Sequence, residues 1–388
     1  MARSPRRITH RLYFTPGMFG FGRLAAYDYF AHLEKALEAR LRRHGAEVES
    51  YVVDVPPTAS VRRRAARLAE LVARTADHDG DSGPIHLIGH STGGLDARLL
   101  ACPTAQLPTS PDALRWLPRL ASVTTLNTPH HGTPLAAFFA TVSGQRMLYA
   151  LTALTFILLS LGSPPMAAAS ALVVAVGRLD RALGLQLRVL DSTTDALLRV
   201  LDDRRSREVR SYLDAIKSDQ GAMIQLTPEA MDLFLGAVAN RPGVRYQCSV
   251  AMAPPPSPRT VARTLGRPWS VISTTLFATL YGITARFDER YPCAAPELPP
   301  EAEAALERAF GRVPGARAND GVVPIRSQVW GDIAWAGFAD HLDVLGHFQG
   351  TGPGDHVDWM TSHSGFGLPQ FHAMADALAA GMLAGAQR

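Results

Sequence analysis

The sequence predicts an α/β fold in a single domain over residues 1–388, with a mostly parallel central sheet, helices on both faces and an inserted helical segment. Short apolar or β-branched runs alternate with longer stretches of helical spacing. One of these runs leads directly into a glycine-flanked serine and then into helical periodicity. Hydrophobic residues make up 47% of the 388 and charged residues 19%, which supports a sizeable core and excludes general disorder.

The first strand reads ITHRLYF and ends at Phe14, and the second reads VESYVVDV and ends at Val55. Between them, residues 25–44 put Phe30, Leu33, Leu37 and Leu41 on one helical face, with Gly45 placed to stop the helix. A second helix is expected from Ser60, which can cap free amides, to about Ala76. Its buried stripe is Ala65, Leu68, Ala69, Leu71 and Val72. The third strand, IHLIG, ends at Gly89 and is continuously apolar except at His86, as a central parallel strand should be. SVTTLN follows and ends at Asn127. Thr227, Pro228 and Glu229 mark a helix start, and DIAWAGF from Asp332 reads as a late strand. A ligand belongs at the carboxyl ends of such strands.

Residues 147–177 break this rhythm with two apolar segments separated by Ser163, Pro164 and Pro165. Neither is long enough to span a bilayer. A core helical hairpin, a membrane hairpin and a lid with one apolar face all fit, and the lid is the favoured reading. Residues 197–217 are strongly charged and predict a solvent-facing helix. The core is thus expected at about residues 8–140 and 221–388, with the insertion at about 141–220.

The formal charge of +4 is small for the length, although arginines cluster at Arg3, Arg6, Arg7 and Arg11 and again at Arg62, Arg63 and Arg64. Solvated faces are the expectation for both clusters, with attraction to an anionic lipid surface as the alternative. No aromatic-interleaved motif accompanies them, so nucleic acid is not an expected partner. The three cysteines, Cys102, Cys248 and Cys293, permit at most one bridge and no closely spaced metal knuckle. The opening residues lack the apolar core of a secretory signal, so the expectation is a cytoplasmic protein or an already trimmed secreted one.

The chemistry starts at GHSTGG, residues 89–94, which sits between a strand and the helical run LDARLLA. Glycines two positions either side of Ser91 allow the sharp turn that lifts a serine oxygen above a sheet, and the helix beginning there aims its amides at developing negative charge. The loop TPGMFGFG after the first strand offers a second amide, so Met18 and Thr92 are the expected oxyanion donors, with Gly17 permitting close approach. A serine hydroxyl needs an imidazole to take its proton and a carboxylate to orient that imidazole. In chain order, Asp320 in ARANDGVVPIRS and His341 in ADHLDVLGHF supply them. His347, His356 and His363 also follow Asp320 and remain competing bases, while His90 is expected to shape the pocket.

Together PGMFGFG, GHSTGG, TLNTPHHGTPLA, NDGVVP and DHLD resemble the bacterial triacylglycerol lipases of the α/β-hydrolase superfamily over roughly residues 8–140 and 221–350. The resemblance implies an α/β-hydrolase fold, a triad of Ser91, Asp320 and His341, and an amphipathic lid before the late motifs. It implies hydrolysis of apolar acyl esters through an acyl-enzyme, with transient contact to a lipid interface. Acyltransferase, phospholipase, thioesterase and polyester depolymerase activities share the same acyl-serine, and a non-catalytic scaffold is the rival of a different class. Pro16 stands where these lipases usually carry histidine. The family often holds a structural calcium through an aspartate at the position of Asp343, but His347 stands where an oxygen ligand would help, so no cofactor is expected.

Overall fold

A computed structural model describes residues 8–18, 23–24, 27–76, 83–161, 198–199, 203–257, 268–348, 356 and 360–387. Six parallel strands make the main sheet in the order β4-β1-β5-β6-β7-β8. They are β1 (Thr9–Thr15), β4 (Glu47–Val52), β5 (Ile85–His90), β6 (Leu120–Leu126), β7 (Arg245–Met252) and β8 (Asp332–Phe338). β2 (Arg23–Leu24) and β3 (Tyr27–Asp28) form a separate antiparallel pair. The chain runs from β1 to β4 on one side and returns to β5 on the other. That reversal opens a crevice at the carboxyl ends of β1 and β5, the place where open α/β sheets take ligands.

Side-chain alternation sorts the strands onto two faces. Leu12, Phe14, Ile88 and Leu126 face a large core that holds Leu33, Leu37 and Leu41 of α1 (Ala31–Arg43) and Met374, Ala375 and Leu378 of the last helix, Leu368–Ala386. Tyr13, Ile85, Leu87 and Val123 face the opposite side. There they meet Ala65, Leu68 and Val72 of α2 (Val61–Ala76) and Ala97 and Leu100 of α3 (Thr92–Ala101). The α/β-hydrolase architecture expected from the sequence is present, and β8 occupies DIAWAGF as read.

Several details differ from the sequence reading. β4 stops at Val52 rather than Val55: Val53 N still donates to Phe14 O of β1 at 2.9 Å, but residues 54–56 continue without strand pairing. α1 begins at Ala31, with β3 and a turn occupying residues 27–30, while Ala25 and Ala26 lie outside the described residues. Leu71 is half-buried, whereas Arg64, expected on a solvated face with Arg62 and Arg63, is fully buried. Arg11 is also buried and bonds Glu49 at 3.0 Å; Arg3, Arg6 and Arg7 lie outside the described residues. β7, RYQCSVAM, escaped the reading because Arg245 and Gln247 interrupt its apolar run.

The first apolar segment of the insertion belongs to the helix Val142–Leu161, whose Met147, Leu148, Ala150, Leu151, Ala153 and Leu154 are fully buried in the larger core. Ser163, Pro164, Pro165 and the second segment lie outside the described residues. Among the described residues no helix is long and apolar enough to cross a membrane. The charged stretch forms the helix Asp203–Ser218, and Thr227 caps Pro228–Ala237 through its side chain. All three cysteines are buried and unbridged.

His86, the polar interruption of β5, is answered inside the sheet: its Nε2 lies 3.0 Å from His10 Nδ1 and its Nδ1 lies 2.8 Å from Ser122 Oγ. Burial, then the charge of His10, pushes His86 down to about 3. Burial likewise lowers His131 to about 4 and His347 to about 3. These folded-state values lie below the unfolded value, so the unfolded chain takes up protons that the native chain refuses. Stability is therefore full above about pH 6.5 and falls as pH drops toward 3 to 4, by up to roughly 1.4 kcal/mol per pH unit for each such group. Urea midpoints should hold from pH 7.5 to about 6.5 and decline from there to pH 4.5, and His86→Asn should make that decline shallower.

Candidate active site

β5 ends at His90 and α3 begins at Thr92, so Ser91 alone turns the chain, with φ 54° and ψ −127°. A residue with a side chain pays roughly 1–3 kcal/mol for such a backbone, and only over-determined surroundings keep it there. Ser91 N donates to Leu126 O of the next strand at 2.8 Å, and Gly94 N donates to Ser91 O at 3.1 Å. Close packing completes the restraint. A Cβ on Gly93 would stand 2.1 Å from the Thr15 carbonyl oxygen, so only glycine lets α3 descend onto the end of β1.

The loop after β1 lies directly against the serine. A Cβ on Gly17 would fall 2.6 Å from Ser91 Cβ and 3.2 Å from its Oγ. Met18 follows and is buried, and Phe19 to Gly22 lie outside the described residues. Thr92 is buried at the first position of α3, where a helix leaves its amide without an internal acceptor.

Asp320 and His341 are brought together. His341 Nδ1 lies 2.8 Å from Asp320 Oδ2, and His341 N donates to Asp320 O at 3.0 Å. Both side chains are almost completely buried. Asp320 Oδ1 accepts the amides of Val322 at 2.9 Å and Val323 at 2.7 Å, while Oδ2 also accepts Gln328 Nε2 at 3.2 Å. These donors fix the orientation of the carboxylate. His341 Nε2 is buried and has no hydrogen-bond partner among the described residues, so no hydrogen bond joins it to Ser91 Oγ in this state.

His90 holds the histidine loop from below. Its ring centroid lies 4.7 Å from that of His341, and its Nε2 lies 2.8 Å from His341 O. A carbonyl only accepts, so Nε2 carries the hydrogen and Nδ1 accepts from the Tyr29 hydroxyl at 2.8 Å. Burial, followed by the neighbouring His341, keeps His90 well below the ordinary histidine range and therefore neutral. Of the other late histidines, His347 Nε2 bonds Tyr29 O at 3.1 Å, His356 Nδ1 lies 3.5 Å from Asp343 Oδ1, and His363 Nε2 lies 3.3 Å from Thr274 Oγ1. Among the described residues His341 is the histidine that reaches Asp320.

Three contributors were not legible in the sequence. Gln328 ties the Asp320 loop to the end of β7, donating to Ala251 O at 3.1 Å and accepting Ala251 N at 2.8 Å. Asn127, at φ 48°, donates weakly to the carbonyls of Asp340 and His341, each at 3.4 Å. Arg64 binds Asp96 Oδ2 through Nε at 2.9 Å, donates to the Pro56 and Pro57 carbonyls, and donates to Pro16 O in the loop that covers Ser91. Thr15 Oγ1 adds a bond to Asp96 at 3.1 Å. Burial lifts the Asp96 carboxyl above the usual carboxylate range, against the pull of Arg64 and Thr15.

Among the described residues, those around Asp343 do not fit calcium. Its Oδ2 already accepts Asp340 N and Ser364 Oγ, each at 2.7 Å, and its Oδ1 faces the His356 imidazole, whereas calcium prefers roughly six to eight oxygen ligands. Among the described residues no cluster of three or more His, Cys, Asp or Glu side chains is arranged to hold a metal.

No family model matches the chain. A curated triacylglycerol lipase of Vibrio cholerae serotype O1 is 35% identical over 120 residues, covering 31% of this chain and 32% of that protein. A triacylglycerol lipase of Pseudomonas fragi is 31% identical over 143 residues, covering 35% of this chain and 42% of that protein. The matched segment is thus less than half the length of either relative. The crystal structure of Staphylococcus hyicus lipase superposes with a TM-score of 0.50 at 17% identity, covering 99% of each chain, so the fold is shared.

Arg64→Met would strand a buried carboxylate, and such a break typically costs about 3–5 kcal/mol. Urea denaturation should show a loss of that size, and adding Asp96→Leu should recover a substantial part of it.

Proposed function

We propose that this chain is a serine carboxylic-ester hydrolase acting on apolar acyl esters, with Ser91 as nucleophile, His341 as base and Asp320 as its orienting acid. One observation carries the reading: the buried 2.8 Å bond from His341 to Asp320 belongs to a ring packed on His90, the residue before a serine strained at a strand-to-helix turn. With Nδ1–H committed to Asp320, the neutral imidazole has its lone pair on Nε2, the atom left without a partner among the described residues.

In this mechanism Nε2 takes the hydroxyl proton as Ser91 Oγ bonds to the ester carbonyl carbon, and the carbonyl electron pair moves onto oxygen. The amides of Met18 and Thr92 stabilise that oxyanion. Collapse breaks the carbon–oxygen bond to the alcohol, which leaves with the proton from His341. Water then gives a proton to His341 and attacks the acyl-serine. The second collapse returns that proton to Ser91 and frees the acid, while Asp320 steadies the imidazolium in both halves. Sequence similarity to curated triacylglycerol lipases supports apolar esters as the substrate class. A lid formed from residues 141–220 and brief contact with a lipid surface are parts of the same proposal.

A fluorophosphonate probe should label the wild-type chain and leave Ser91→Ala unlabelled; an unreactive wild type would overturn the assignment in favour of a scaffold. On p-nitrophenyl esters of increasing acyl length, with emulsified triglyceride alongside, the rate should rise with chain length. Asp320→Asn should lower kcat by roughly 10³–10⁴-fold.

A further inference from the structure

Arg98 lies in the last turn of α3, on the same helix that begins beneath Ser91, and its side chain is almost completely buried. Its Cζ sits 3.3 Å from the centroid of the Trp330 ring and 5.6 Å from that of Phe234. Nη1 donates to His130 Nδ1 at 2.9 Å, which obliges His130 to carry its hydrogen on Nε2 and give it to Thr125 Oγ1 at 3.1 Å. Nε and Nη2 have no hydrogen-bond partner among the described residues, and no carboxylate there pairs with the guanidinium. Burial draws Arg98 down to about 9. The same guanidinium, after burial, holds His130 and His131 in their neutral forms, so neither imidazole brings a balancing charge.

Stacking on Trp330 and the carbonyl end of α3 answer part of the charge. They leave the in-plane hydrogens of Nε and Nη2 unmet, and those two atoms form one complete edge of the guanidinium. That edge pairs side-on with the two oxygens of a planar oxyanion. Nε and Nη2 are themselves buried, while Trp330 and Phe234, which lie over the guanidinium, are each half-buried.

We propose that Arg98, Trp330 and Phe234 form a second binding site, apart from the Ser91 centre, for a monocarboxylate with an apolar tail. Its two oxygens lie on Nε and Nη2, and its tail lies against the rims of the two rings. The proposal rests on the esterase reading only for its source of ligand, since ester hydrolysis releases such an acid. Inorganic phosphate offers the same paired oxygens without the tail.

The Ser91→Ala chain, which turns nothing over, is titrated with sodium hexanoate, hexan-1-ol and sodium phosphate at matched ionic strength, and tryptophan emission and thermal midpoint are followed. Hexanoate should give a saturable emission change and a raised midpoint, and hexan-1-ol should give neither. Arg98→Lys keeps the charge but loses the paired edge, and should weaken hexanoate binding about tenfold or more. Trp330→Phe should keep the midpoint shift and lose the emission change. The site is overturned if hexanoate produces no saturable response, if Arg98→Lys responds as its parent does, if the emission change survives in Trp330→Phe, or if phosphate alone binds. Fluorophosphonate labelling of the wild type fails or succeeds independently of these readings.

Discussion

Ser91 holds a backbone that a side-chain-bearing residue rarely adopts, and the rest of the site is arranged around keeping it there. The strain is local, but its restraints are long-range. The Ser91 amide is fixed by Leu126 on β6, and α3 can sit against the Thr15 carbonyl of β1 only because Gly93 has no side chain. Three neighbouring strands thus share in setting one hydroxyl. The order β4-β1-β5-β6 places the ends of β1 and β5 beside each other, so the loop carrying Gly17 and Met18 falls across the serine rather than elsewhere on the sheet.

The polar groups near this turn are buried, and most of their donors and acceptors are met. Asp320 accepts four hydrogen bonds, His90 spends both nitrogens, and Arg64 spends its guanidinium on Asp96 and three backbone carbonyls. Such satisfaction gives rigidity more than stability, because the desolvation of each ion offsets much of its attraction. His341 Nε2 and one edge of Arg98 stand outside this pattern among the described residues, as do Thr92 Oγ1 and Asp96 Oδ1. The first fits a base that waits for substrate, and the second lies on the far turn of the same helix.

The strand-turn-helix at GHSTGG was legible because its chemistry is local: two glycines at fixed offsets, an apolar strand before and a helical period after. Asp320 and His341 could be named from chain order, yet His347, His356 and His363 met the same criterion. Sequence spacing could not separate them, since all four histidines follow the acid and nothing local records which loop folds back. Arg64 was misread for a related reason. It stands in a run of three arginines on a helix, and only the partner 32 residues away, Asp96, turns its side of the helix into an interior.

The sequence by itself determined the alternation of strands and helices, the serine elbow and the glycines that permit it, because periodicity and backbone freedom act over a few residues. The tertiary structure decided which histidine meets Asp320, which arginine is buried, and that Gln328, Asn127 and Tyr29 support the histidine loop. Those outcomes depend on contacts between segments far apart in the chain, whose free energies follow from burial and hydrogen-bond geometry that exist only after the sheet has assembled.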